Sequence, residues 1–250
     1  MKYIFGPVNS RRLGRSAGIN LVPFKLCSFD CVYCECGCTT ALTAEIREYV
    51  PYDKVVREIE EFIAGKPDFD CFTFSGSGEP TLNSRIGDII KFIKSKNISR
   101  QIVVLTNSST MPRKEVRERL MEADIVIPTL NAVSTDIFNK IMRPSFNIEP
   151  WQIIQGLIEF RKEYKGAIYL EVFIVPGVND NEDELIKIRD AAMLIKPDQV
   201  HINHLDRPGA EEWVRPSVPE KLTAAGKLFY PFRVKILSRP VITLEPSDGV

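Results

Sequence analysis

Several things are missing from this 250-residue chain, and each absence narrows what it can be. No segment approaches 18 consecutive uncharged apolar residues, so the sequence offers no membrane-spanning helix. The opening residues Met1-Lys-Tyr-Ile-Phe-Gly-Pro7 lack the apolar core of a secretion signal, which leads us to expect a cytoplasmic protein. There is no excess charge of either sign: 33 Lys and Arg balance 33 Asp and Glu. A polyanionic partner would therefore have to be met by a local basic patch. Histidine is scarce as well, with only His201 and His204, both far from the clustered cysteines. No internal repeat or low-complexity linker divides the chain.

What remains is ordinary for a globular protein, 44% hydrophobic and 26% charged, with one exception in its cysteines. Six cysteines without an export signal argue for reduced thiols or metal binding instead of disulfides. Three of them, Cys27, Cys31 and Cys34, fall in Lys25-Leu-Cys-Ser-Phe-Asp-Cys-Val-Tyr-Cys34 with the spacing C-x3-C-x2-C. Zinc sites usually pair two C-x2–4-C knuckles or add histidines at fixed spacing, and neither pattern is present. Three thiolates this close can hold three irons of a [4Fe–4S] cube and leave the fourth iron without a protein ligand. Electron-transfer ferredoxins instead use C-x2-C-x2-C and a further cysteine that closes the cube. An open iron binds substrate or cofactor, so such a cluster does chemistry.

Short apolar runs alternate with helical patterns along the chain. Candidate strands are Gly18–Val22, Cys71–Ser75, Gln101–Leu105, Ile125–Leu130, Ala167–Val175 and Gln199–Asn203. Candidate helices lie near Lys54–Ala64, Ile86–Lys96, Arg113–Glu122, Trp151–Tyr164, Glu182–Ile195 and Pro219–Phe229. Six strand–helix units imply parallel strands with right-handed crossovers, and a partial (β/α)6 barrel is their natural closure. We read residues 1–250 as one α/β domain with a short extension after about residue 230. Barrel-type sheets carry function in the loops at the C-terminal strand ends. The cysteine loop follows the first strand and belongs to that face.

With Tyr33 before the third cysteine, the motif is C-x3-C-x-Φ-C, and the chain resembles the radical S-adenosylmethionine (SAM) superfamily. A second motif supports this: Cys71-Phe-Thr-Phe breaks into Ser75-Gly-Ser-Gly-Glu79-Pro80, which looks like that superfamily's GGEP segment with Ser77 replacing a glycine. The resemblance implies that Gly76, Ser77, Gly78 and Glu79 bind the methionine part of SAM. It also implies ribose contacts from Thr129 and Asn131, and backbone contacts to the adenine around Val175, in Phe173-Ile-Val-Pro-Gly-Val-Asn-Asp180. The turn-forming residues of these two segments are equally compatible with plain strand-end chemistry. More closely, Phe5-Gly-Pro-Val-Asn-Ser-Arg-Arg-Leu-Gly-Arg-Ser16, Cys31-Val-Tyr-Cys-Glu-Cys-Gly37, Arg143-Pro144 and Asp206-Arg-Pro208 resemble iron–sulfur oxidoreductases related to wyosine-tRNA synthase. Archaeal wyosine synthases have further cysteines before the SAM motif, and none precedes Cys27.

The resemblance implies an enzyme with two cofactors, a [4Fe–4S] cluster and SAM. One electron from the reduced cluster cleaves SAM to methionine and a 5′-deoxyadenosyl radical, which takes a hydrogen atom from a substrate. That substrate is a small molecule, a peptide or a tRNA, and an electron donor such as ferredoxin or flavodoxin is required. A tRNA-modifying, wyosine-synthase-like enzyme is one alternative, kept open by Arg11–Arg15 and the basic stretch from Lys91 to Arg119. A noncatalytic iron–sulfur protein is another, disfavoured by Gly76–Pro80.

Other residues remain open at this level. The pattern of the fifth strand turns Glu171 into the barrel lumen, where it meets a cation or hydroxyl network or faces substrate. His201 and Asn203 project from the sixth strand in the same way, His201 as a core histidine or a proton donor. Arg11, Arg12 and Arg15 form a solvated basic turn or bind an anionic substrate group. Cys71 is expected to pack at the far end of its strand. Cys36 and Cys38 shuttle redox equivalents, touch substrate or stand by. The Pro- and Gly-containing segment from Asp206 to Pro216, with Trp213, is expected to be a mobile loop over the site.

Overall fold

The computed structural model describes residues 1–246. Its strands are β1 (Ile4–Ser10), β2 (Gly14–Ile19), β3 (Leu26–Cys27), β4 (Ala41–Leu42), β5 (Cys71–Phe74), β6 (Gln101–Thr106), β7 (Ile125–Pro128), β8 (Ala167–Phe173), β9 (Gln199–Asn203), β10 (Val234–Ile236) and β11 (Ile242–Leu244). The helices are α1 (Tyr52–Ala64), α2 (Ile86–Ser95), α3 (Lys114–Arg119), α4 (Thr135–Met142), α5 (Pro150–Glu163), α6 (Glu182–Ile195) and α7 (Pro219–Lys227), with one 3-10 turn at Pro80–Leu82.

One nine-stranded sheet runs β1-β2-β5-β6-β7-β8-β9-β10-β11. The strands from β2 to β10 are mutually parallel, and β1 and β11 add antiparallel edges. The sheet is open, since β1 and β11 do not pair, so this is a partial barrel of the kind expected. Alternation within the strands sorts the side chains. Phe72 and Phe74 join the main core under the helices, while Cys71, Val103, Ile125 and Ile127 form a smaller cluster on the inner face. Cys71 is thus a packing residue with its thiol against the Leu13 carbonyl.

Three expectations need correction. The first parallel strand is Gly14–Ile19, not Gly18–Val22, and it is preceded by β1, which the sequence reading missed. Gly6 and Pro7 hide β1 because both weaken a strand pattern; Pro7 is tolerated at a bulge in an edge strand. Helix α4 was missed as well, since its polar Thr135-Asp136 start and the following Pro144 read as loop. The residues beyond about 230 are not an appendage: β10 pairs with β9 and extends the sheet.

The inner face carries a buried charge network. Arg12 reaches Glu171 Oε2 at 2.6 Å, and Asn203 Nδ2 donates to the same oxygen at 3.3 Å. His201, fully buried on β9, lies beside the Tyr169 ring at 5.1 Å between centroids. Burial, helped by the nearby Arg12 and Lys235 cations, pushes its pKa down to about 3. The folded chain therefore keeps His201 neutral while the unfolded chain protonates it below its ordinary value near 6.5. Stability falls as pH drops through that window. Across pH 7 to 5 this one residue should cost about 2 kcal/mol. Urea unfolding of His201→Gln should show a correspondingly flatter decline than wild type; parallel declines would contradict the assignment.

Candidate active site

Two sequence motifs far apart in the chain meet at the C-terminal end of β5. The Lys25 amide donates to the Ser77 carbonyl at 2.8 Å, and the Glu79 amide donates to the Leu26 carbonyl at 3.3 Å. Gly78 makes this approach possible. A Cβ built there would sit 2.0 Å from the Leu26 carbonyl oxygen, so any side chain would separate the two loops. Gly76 has φ +136°, a conformation reserved for glycine, and closes on Asn20.

The cysteine loop is pinned on its other side by the missed helix. The amides of Asp30 and Val32 donate at 3.0 Å to the Met142 and Ile141 carbonyls at the C-terminus of α4. Phe29 packs edge-on against Phe138 of the same helix, with ring centroids 5.6 Å apart. Tyr33 stacks on Phe173 at 4.0 Å, and its hydroxyl accepts a hydrogen bond from Asn131 Nδ2 at 2.8 Å. The loop is therefore fixed by β8, β7 and α4 together.

These contacts place Cys27, Cys31 and Cys34 around one cavity of about 230 Å³. Among the described residues no three His, Cys, Asp or Glu side chains are disposed to hold a single metal ion. The three thiols line one cavity in the C-x3-C-x2-C spacing that suits a polynuclear cluster. Burial pushes Cys27 up to about 11 and also raises Cys31 well above its ordinary value, so neither holds a negative charge unaided. Iron would supply the missing positive charge and release their protons. Cys34 is lowered to about 5 because the Cys36 thiol and the Lys25 ammonium support its thiolate.

Two donors to these sulfurs went unnoticed in the sequence. Lys25, buried and in a left-handed conformation at φ +56°, points its ammonium at Cys34 Sγ, 3.2 Å away. Asn107, just past β6, aims Nδ2 at Cys27 Sγ at 3.4 Å. A lysine inside the cysteine run was the only available hint, because Asn107 reaches the site through sheet topology alone.

The other sequence-expected residues divide. Tyr33, Gly76, Ser77, Gly78, Glu79 and Thr129 line the cavity. Asn131 and Val175 do not. Asn131 is buried, joining Tyr33 to the Phe173 amide, and the Val175 amide is occupied by Asn179 Oδ1 at 2.7 Å. The Glu79 carboxylate is also engaged internally, accepting from both the amide and hydroxyl of Thr81, from the Thr106 hydroxyl at 2.8 Å and from the Asn107 amide at 2.7 Å. Burial still raises its pKa above the ordinary carboxylate range despite these donors.

A second cavity of about 890 Å³ fills the lumen and shares Tyr33, Cys34, Ser75, Gly76, Leu105 and Glu171 with the first. Arg11 and Arg12 line it, while Arg15 faces away to Asp68 and Asp70. The segment following β9 is tied down: Arg207 bonds Glu35, the Glu211 side chain bonds Arg143, and the Glu211 amide donates to the Val32 carbonyl. Trp213 on this segment is exposed and lines neither cavity. In the basic stretch, Lys94 pairs with Asp124 and Lys96 with Glu60. Among the described residues no helix is long and apolar enough to cross a membrane.

A partial parallel barrel with a three-thiol cavity at its strand ends defines a class, and comparison identifies it. The profile of the Radical SAM superfamily matches residues 21–188. A protein named GTPase Obg from Brachyspira hyodysenteriae is 36% identical over 91% of this chain, which spans only 33% of that protein's length. A UPF0026 protein from Methanocaldococcus jannaschii is 34% identical over 92% of the chain and 71% of its own. Among solved structures, a radical SAM methyltransferase from Sphaerobacter thermophilus superposes with TM-score 0.65 at 15% identity, covering 88% of this chain and 65% of that one. TYW1 with a lysine-pyruvate adduct bound superposes with TM-score 0.63 at 17% identity, covering 87% and 74%. At that identity the superpositions speak for fold. The chain belongs to the radical SAM superfamily, in a group with UPF0026 proteins. That superfamily is one of enzymes that carry out SAM-dependent radical chemistry.

A buried cation beside a cluster sulfur favours the more negative, reduced state. Lys25→Met should therefore lower the cluster's midpoint potential while iron content stays at the wild-type level. Spectroelectrochemical titration reads this directly, and an unchanged potential would show that Lys25 only packs.

Proposed function

We propose that this enzyme cleaves SAM reductively beside its cysteine loop and directs the resulting radical at a substrate held in the lumen. The observation that carries the reading is the shared wall: Tyr33, Cys34, Ser75, Gly76, Leu105 and Glu171 border both cavities, so cofactor and substrate would meet there. When bound through Cys27, Cys31 and Cys34, the cluster supplies the electron that splits SAM into methionine and a 5′-deoxyadenosyl radical able to abstract hydrogen.

The chain's own residues have distinct tasks. The three cysteines would hold the cluster, and Lys25 and Asn107 donate to the sulfurs of Cys34 and Cys27. Backbone groups of Ser77 and Gly78 border the space for the methionine end of SAM. Glu79 supports that segment from behind, binding β6 through Thr106 and Asn107. Thr129 remains the candidate for the ribose. Asn131 acts through Tyr33, whose ring forms part of the wall. An external one-electron donor such as ferredoxin or flavodoxin completes the proposal.

Anaerobically reconstituted enzyme with dithionite should release 5′-deoxyadenosine slowly from SAM without added substrate. Single Cys27→Ser, Cys31→Ser and Cys34→Ser changes should each abolish it. Glu79→Ala should weaken SAM binding, since its loss frees the donors of Thr81, Thr106 and Asn107 and loosens the turn. SAM cleavage surviving all three cysteine changes would refute the proposal. A tRNA titration at varied salt separates the wyosine-synthase-like reading, which requires binding that weakens steeply with salt.

A further inference from the structure

The lumen is lined by four arginines, and three of them are already neutralised. Arg12 pairs with Glu171 at 2.6 Å, Arg207 with Glu35, and Arg239 with Asp206 at 2.7 Å. Arg11 is different. Its guanidinium donates to two neutral acceptors, the Leu237 carbonyl and Asn203 Oδ1 at 3.2 Å, and makes no ion pair among the described residues. Two acids act on it from a distance, Asp206 and Glu35, and their carboxylates are committed to Arg239 and Arg207. Burial works against the charge on Arg11.

Position adds to the argument. Arg11 sits in the turn between β1 and β2, near one edge of the open sheet. Leu237 follows β10 near the other edge, so the side chain spans the barrel's open side and is held there at both nitrogens. It borders the larger cavity and not the cysteine cavity, which has its own cation in Lys25. An arginine fixed by neutral acceptors keeps its remaining N–H donors available, and a planar fork of that kind suits a carboxylate or phosphate. A half-buried cation without a counter-ion is costly, and an incoming anion removes that cost.

We infer that Arg11 is the anion subsite of the lumen, and that the enzyme's substrate carries a carboxylate or phosphate that binds there. The inference rests on the reading that the lumen holds the substrate. Anchoring at Arg11 would place the substrate's other end toward the wall formed by Tyr33, Cys34 and Glu171. Arg12 cannot take this role without breaking its pair with Glu171.

The test uses reconstituted enzyme and two probes, inorganic phosphate and succinate, titrated calorimetrically. Wild type should bind at least one of them saturably, and the tighter probe identifies phosphate or carboxylate as the recognised group. Arg11→Gln should weaken that binding by about tenfold or more, and Arg11→Lys, which keeps the charge without the fork, should fall between. Should the variants fold poorly, phenylglyoxal labelling of the unaltered enzyme gives the same answer. Phosphate or succinate should slow modification of Arg11 while leaving exposed Arg57 unaffected. Equal affinity in wild type and Arg11→Gln, or Arg11 labelling at one rate with and without anion, would overturn the inference. SAM cleavage by wild type, assayed separately, tells the two readings apart. Anion binding without cleavage would support the subsite and remove the radical chemistry, whereas cleavage with no Arg11-dependent anion binding would do the reverse.

Discussion

The contact between the cysteine loop and the glycine turn after β5 governs the rest of the site. Two backbone hydrogen bonds, Lys25 to Ser77 and Glu79 to Leu26, join segments some fifty residues apart in sequence. They form only because position 78 has no side chain to hold the backbones apart. Once joined, the loop has few other places to go: α4 fixes its middle through backbone carbonyls, and Phe173 and Asn131 fix Tyr33 at its end. Three thiols are thereby held around one cavity before any iron arrives, which lowers the ordering cost of assembling a cluster.

That arrangement is electrically unsatisfied on its own. Two of the thiols are held protonated by burial, and a lysine points at the third. Such a site gains most from a group that brings positive charge to the sulfurs and spreads their negative charge. The lumen shows the converse, with acidic groups paired to arginines and one arginine left without a partner acid. One end of the interior calls for metal and the other for an anion. A substrate reaching from Arg11 toward the cysteines would satisfy both demands along one axis.

Much of this was legible in sequence because it is local. Spacing alone marks Cys27, Cys31 and Cys34, and apolar periodicity gives α6 (Glu182–Ile195) and β9 (Gln199–Asn203) with their observed bounds. The losses have physical causes. Gly6 and Pro7 disguise β1, and three-residue strands such as β10 and β11 are too short for alternation to register. Lys25 and Asn107 matter through tertiary placement, which no local pattern carries. Motif reasoning also put Asn131 and Val175 at the cofactor, whereas the structure spends their polar groups on holding Tyr33, Phe173 and Asn179 in place. Strand-end residues of one type can serve a ligand or the frame around it, and only geometry separates those uses.

The central claim is that these three cysteines hold one cluster with an iron open to SAM. Electron paramagnetic resonance of the reduced, reconstituted protein tests it directly, with iron counted on the same sample. The account predicts about four irons per chain, retained after a Cys36→Ala/Cys38→Ala double change, and a signal that shifts when SAM is added. A spectrum indifferent to SAM, or a cluster that disappears with Cys36 and Cys38, would contradict it.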